Sequence, residues 1–206
     1  MIHVKKQQEP IDFNIKVRIP GRKFLNSCPQ PKRKDWHRHN YWRECNRDLY
    51  DCYNGVCAYT GEWFSLTTGV VDHFKPKSLA PGLAYEWDNY RLATQRANHN
   101  KDSYIIVDPF NVQLGWFTLE IPSCLIVVGD GLSCEIYAQV KYTIEKLRLN
   151  SDDEYVQRRC DTIIDYINGN ISFASLRRYF PFIASELERQ GIDSVEKIGG
   201  YFKSWK

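Results

Sequence analysis

Asp72 and His73 stand side by side in Gly69-Val70-Val71-Asp72-His73-Phe74-Lys75-Pro76-Lys77-Ser78, and residues able to cooperate with both follow at fixed intervals. Asn89 comes 16 residues after His73, Asn98 another 9 on, and Asn98-His99-Asn100-Lys101 closes the run. Breaking a phosphodiester requires a positioned water, neutralisation of charge on the phosphoryl oxygens and help for the departing 3′ oxygen. A neutral imidazole can take the proton of the water, and one hard divalent cation can serve the other two needs. Histidine with an unperturbed pKa of about 6.5 is largely neutral at physiological pH, as a base must be. Mg²⁺ takes oxygen ligands and keeps several waters, so one carboxylate and one amide carbonyl suffice from the protein. Asp72 and Asn98 supply these two. His99 is the alternative to Asn98, because one residue of helix register turns a position by about 100°. Lys75, Lys77, Arg91 and Lys101 flank these residues and are expected to contact phosphates, which positions a nucleic acid without reading its bases.

Neighbours on a strand point to opposite faces, so Asp72 and His73 can address one phosphate only where the strand ends or twists. Val70 and Val71 favour a strand and Pro76 stops it. The sequence therefore predicts a strand over 70–74, a loop over 75–86 containing Pro76, Pro81 and Gly82, a return strand over 89–92 and a helix over 93–101.

Asp-His, then Asn, then Asn-x-x-Lys on a β-loop-β-helix frame resembles the HNH endonuclease family, over about 45 of the 206 residues. The resemblance implies an α+β fold with a ββα-metal core, flanked by an N-terminal helix and a C-terminal helical region. It implies His73 as general base, Asp72 and Asn98 as ligands of one Mg²⁺ or Mn²⁺, and Asn89 as the residue bracing the loop that orients His73. Val71 to Ser78 with Tyr85-Glu86-Trp87-Asp88-Asn89 looks especially like HNH nucleases of Septu-type anti-phage operons, which act beside an ATPase subunit. Many HNH proteins carry a structural zinc site built from two Cys-x-x-Cys pairs. Here Cys57-Ala58-Tyr59-Thr60 lacks the second cysteine, and Thr94 and Ala97 hold the later pair of positions. Zinc needs about four N/S ligands, so no structural zinc is expected and packing takes its place.

The elements around this module read as follows. Phe13, Ile15, Val17 and Ile19 alternate with polar neighbours and predict a strand in an N-terminal extended segment, 1–34. Pro31-Lys32-Arg33-Lys34 is a basic cluster, either a solvated loop or a contact for nucleic-acid backbone. Asp35 is a candidate N-cap for one helix over 36–53, with Trp36, His39, Trp42, Cys45, Leu49 and Cys52 packing on the motif and Asn54-Gly55 ending it. Strands are also expected within 62–68 and 104–107. The nuclease core with its preceding helix would span 35–110. Residues 111–206 would form a hairpin over 116–128 and helices over 134–148, 152–167 and 173–190, the last kinked at Pro181.

Residues 1–101 hold 17 Lys/Arg against 10 Asp/Glu, or +7, and residues 102–206 hold 11 against 15, or −4. The basic half thus carries the Asp-His run, as a phosphate-binding site wants, and the acidic half is the expected dock for a partner. Seven scattered cysteines without a Cys-x-x-Cys pair read as reduced packing residues. With no apolar run near the ~18 residues of a membrane span, the expected location is the cytoplasm. Three functions remain open: DNA cleavage, RNA cleavage, and nucleic-acid binding or scaffolding without turnover.

Overall fold

Residues 1–202 are described by a computed structural model. The fold is α+β and falls into two compact units, one of Lys5–Ala58 with Phe64–Ile105, the other of Met1–Val4, Tyr59–Trp63 and the chain from Ile106 on. Each unit holds one two-stranded antiparallel sheet. The boundaries expected after residues 34 and 110 are therefore replaced. Residues 5–34 belong with the Asp-His run because their apolar side chains form part of its core.

In that first unit the predicted N-terminal strand is instead helical. A π-helical turn, Asn14–Arg18, runs into α1 (Ile19–Ser27). The four-residue spacing of Phe13 and Val17 outweighs the two-residue alternation. Both are buried, while Ile11, Ile15 and Ile19 are exposed. The Phe13 ring meets Trp87 and Tyr90 at centroid distances of 5.5 and 5.9 Å. Gly21 lets α1 close on Tyr85, since a Cβ there would lie 2.1 Å from the Tyr85 ring.

The single helix expected over 36–53 is three pieces: α2 (Arg33–Arg38), a 3₁₀ segment Tyr41–Cys45, and α3 (Asn46–Cys52). Asp35 is not the N-cap of α2. It is the third helical residue, and its carboxylate accepts the Lys32 backbone N–H at 2.9 Å, one arm of a capping box. The break follows His39, whose Nδ1 donates back to the Asp35 carbonyl at 2.9 Å while its ring stacks on Phe24 at 3.9 Å. Asn54 and Gly55 turn the chain with φ of 52° and 67°, the left-handed region these two residues tolerate best.

β1 (Gly69–His73) pairs antiparallel with β2 (Tyr90–Thr94), setting Asp72 opposite Arg91 and His73 opposite Tyr90. α4 (Gln95–Lys101) starts at once, with the Thr94 hydroxyl accepting the Ala97 N–H at 3.1 Å. The β-loop-β-helix order stands within two residues of its expected bounds. Residues 62–68 form no strand ladder, only an isolated bridge at Trp63 and a 3₁₀ turn at Leu66–Thr68.

In the second unit β3 (Phe117–Leu119) and β4 (Ile126–Val128) make the expected hairpin. The strand expected at 104–107 is absent, and the Val107 N–H donates instead to the Thr143 hydroxyl at 2.9 Å. α5 (Cys134–Lys146) and α6 (Asp153–Ile167) follow. Pro181 does more than kink the next helix: α7 (Phe173–Tyr179) and α8 (Pro181–Arg189) are separated by Phe180, held out of helical geometry as a residue before proline tends to be. α9 (Val195–Phe202) was not expected, because Gly199-Gly200 argues locally against a helix; its Ile198 is fully buried. Arg159 is buried with Nε on the Cys124 carbonyl at 2.7 Å and Nη2 on that of Leu149 at 2.8 Å. Among the described residues no helix is long and apolar enough to cross a membrane.

Candidate active site

His73 closes β1 and is 5% exposed. Its Nε2 donates to the Ala84 carbonyl at 2.9 Å, which also receives the Tyr90 hydroxyl at 2.8 Å. In the neutral ring this leaves Nδ1 as the nitrogen with the lone pair. The edges of Trp42 and Tyr90 fix the plane of the imidazole, at centroid distances of 4.8 and 5.3 Å and near-perpendicular angles.

Asn89 ties two loops to this arrangement with one amide. Its Oδ1 accepts the Lys75 N–H at 2.8 Å, and its Nδ2 donates to the carbonyls of Lys75 and Leu83 at 3.0 and 3.1 Å. The Asn89 carbonyl takes the Phe74 N–H at 2.8 Å. One side chain thus joins the chain leaving His73 to the residue preceding Ala84, the imidazole's acceptor.

Burial first, and the Lys77 charge next, hold the His73 pKa well below the ordinary 6.5, against a smaller opposing effect of the Ala84 carbonyl. The native ring binds its proton less tightly than the unfolded one. Its contribution to stability is full above about pH 6.5 and is lost as pH falls from there toward the depressed native value. Thermal melting should accordingly drop between about pH 7.5 and 5.5, and His73→Gln should narrow that drop relative to the parent protein. An equal drop in both proteins would refute the assignment.

Asp72 is 3% exposed and Lys101 0% exposed. The Lys101 Nζ lies 3.3 and 3.2 Å from the two Asp72 carboxylate oxygens and donates to the His73 carbonyl at 3.0 Å. This buried pair straps the end of α4 to the end of β1. Lys101 is therefore not the surface phosphate contact it was expected to be. Arg91 is corrected likewise: it is 2% exposed, with Nη1 on the carbonyls of Asp88 and Tyr90 at 2.9 and 2.7 Å and its guanidinium 5.0 Å from the Phe74 ring centroid. Lys75 is exposed. Lys77 is half-buried with Nζ 4.8 Å from the Trp42 ring centroid, and burial lowers its pKa. Of the four expected phosphate contacts, Lys75 is the exposed one.

Asn98 is half-buried and lies three residues before Lys101, on the same face of α4. His99 is exposed and two residues from Lys101, so it faces away from that pair. A carboxylate and an amide oxygen are donors of the type a hard divalent cation takes, and in that respect Asp72 and Asn98 fit Mg²⁺ or Mn²⁺. Lys101 already sets one positive charge against that carboxylate. Among the described residues no three His, Cys, Asp or Glu side chains cluster for a metal. Asp72 and His73 adjoin at the end of β1 but are covered, in a closed arrangement.

No family model matches the chain, and no curated protein is significantly similar to it.

Three contributors are not distinguished by the sequence. Trp42 belongs to the aromatic stripe expected to pack on the motif, yet nothing in the pattern selects it as the ring against His73. Tyr90 looks like a strand residue. Ala84 acts through its carbonyl, which no residue type advertises.

Proposed function

We propose that this protein is a metal-dependent HNH-type endonuclease that hydrolyses DNA phosphodiester bonds. What carries the reading is one observation: a His at the end of β1, ring locked by the Ala84 carbonyl, on loops clamped by Asn89 and followed by α4. His73 takes a proton from water at Nδ1, since Nε2 is engaged. Asn89 positions His73 by holding both loops. Lys75 and Lys77 draw the phosphate toward β1. Asp72 and Asn98 would hold Mg²⁺ or Mn²⁺, which supplies charge neutralisation at the phosphoryl oxygens when bound. The resemblance adds the setting, bacterial anti-phage defence beside an ATPase subunit, and the missing second cysteines argue against the structural zinc of many HNH proteins.

A second reading, nucleic-acid binding without turnover, is favoured by the Lys101 ammonium seated against the Asp72 carboxylate. RNA in place of DNA needs no different site. Purified protein, alone and with such an ATPase subunit, should nick or degrade plasmid or single-stranded DNA in Mg²⁺ or Mn²⁺ and stop in EDTA. Intact DNA and RNA under every condition, with binding retained, would establish the second reading.

A further inference from the structure

Residues 32–43 bring together exposed cations and partly exposed rings. Lys32, Arg33, Lys34 and Arg38 on and beside α2 are exposed, as is Arg43, while His39, Tyr41 and Trp42 are half-buried. Trp36 is the buried anchor that hangs α2 on the aromatic cluster, 6.2 Å from both Trp42 and Tyr85 and 5.8 Å from Phe24. Tyr41 stands 6.0 Å from His39 and 5.9 Å from Tyr85. Trp42 then links this surface to the candidate base, its edge against the His73 ring and the Lys77 ammonium over its face.

We infer that the nucleic acid this unit takes is single-stranded, its phosphates held by the cations of residues 32–38 and an unpaired base stacked on the rings of residues 39–42. The charge argument names the class of ligand: the unit holds 17 Lys/Arg against 10 Asp/Glu, and the arm of α2 sets its cations outward. The rings then choose the form of that ligand. In a duplex both faces of each base are covered by neighbours, so a protein ring has no face to meet; in a single strand every base offers one. A backbone tracked by α2 and a base on Tyr41 leave the adjoining phosphate toward Lys77, whose ammonium already lies over Trp42.

The inference deepens the nuclease reading, but its test is kept separate by measuring binding in EDTA, where cleavage plays no part. Fluorescence anisotropy with labelled oligo(dT), oligo(rU) and a duplex of equal length should give a single strand at least about tenfold tighter than the duplex. Tyr41→Ala should weaken the single strand by about tenfold while leaving the salt slope unchanged, because stacking releases no counterions. Arg33→Glu with Lys34→Glu, both on the surface, should weaken every ligand and flatten the salt slope. Circular dichroism melts matching the parent protein certify both variants as folded. Duplex bound as tightly as single strand, or a folded Tyr41→Ala variant that binds oligo(dT) undiminished, overturns the proposal. Absence of cleavage in Mg²⁺ with these binding results intact would count against the nuclease reading alone.

Discussion

On the proposed nuclease reading, cleavage by the His73→Ala protein should fall by about 10²- to 10⁴-fold, the usual share of a general base, while its binding of oligonucleotide in EDTA should persist. Imidazole added to the solution restores part of the rate, since the substitution empties a ring-sized space bordered by Trp42 and Tyr90 and small imidazole can enter it. Asn89→Ala behaves differently. The Lys75 N–H and the carbonyls of Lys75 and Leu83 lose their partner, and a buried polar group left without one costs about 1–3 kcal/mol. That variant loses stability and activity together, and imidazole does not rescue it, because the imidazole it needs is present but no longer oriented. Plasmid nicking in Mn²⁺ with and without imidazole, beside urea unfolding, separates the two. A His73→Ala protein that nicks at the parental rate would remove the assignment of base.

Lys101→Met lowers unfolding free energy by about 3–5 kcal/mol, the penalty for breaking a buried ion pair from one side. Asp72 is 3% exposed and its carboxylate then loses the ammonium that faces both of its oxygens, while the His73 carbonyl loses a donor. Asp72→Asn combined with Lys101→Met recovers much of the loss, since two neutral groups of similar volume replace the two charges of the pair. Urea denaturation of the parent, both single variants and the double variant gives the coupling directly. A Lys101→Met loss below about 1 kcal/mol would place the ammonium in solvent, as an exposed pair is worth no more than that, and would return Lys101 to the phosphate contacts.

The β-loop-β-helix at the centre was legible because its signals are local. Val70 and Val71 favour extended backbone and Pro76 ends it, while the cap at Thr94, one residue inside the helix expected over 93–101, shows only in the structure. The hairpin at 117–128 and helices α5 and α6 declare themselves through period and turn residues in the same way. Where two local patterns compete, the sequence alone does not decide. Phe13, Ile15, Val17 and Ile19 satisfy a strand on paper, and it is the tertiary packing, with the rings of Trp87 and Tyr90 against Phe13, that buries Phe13 and Val17 as the inward pair of a helix. The helix over 36–53 breaks at His39 because a ring from α1, Phe24, offers it a stacking partner.

The residue types of the site and their order along the chain belong to the sequence. Which nitrogen of His73 keeps its proton, and whether Lys101 and Arg91 meet solvent, belong to the tertiary structure. Both depend on groups brought in from elsewhere: the carbonyl of Ala84, the edge of Trp42, the carboxylate of Asp72 across from α4. Spacing records how far apart residues lie along the chain. Burial and protonation depend on what the folded chain puts against them, and a lysine reads the same in the sequence whether it is to face a phosphate or a carboxylate within the core.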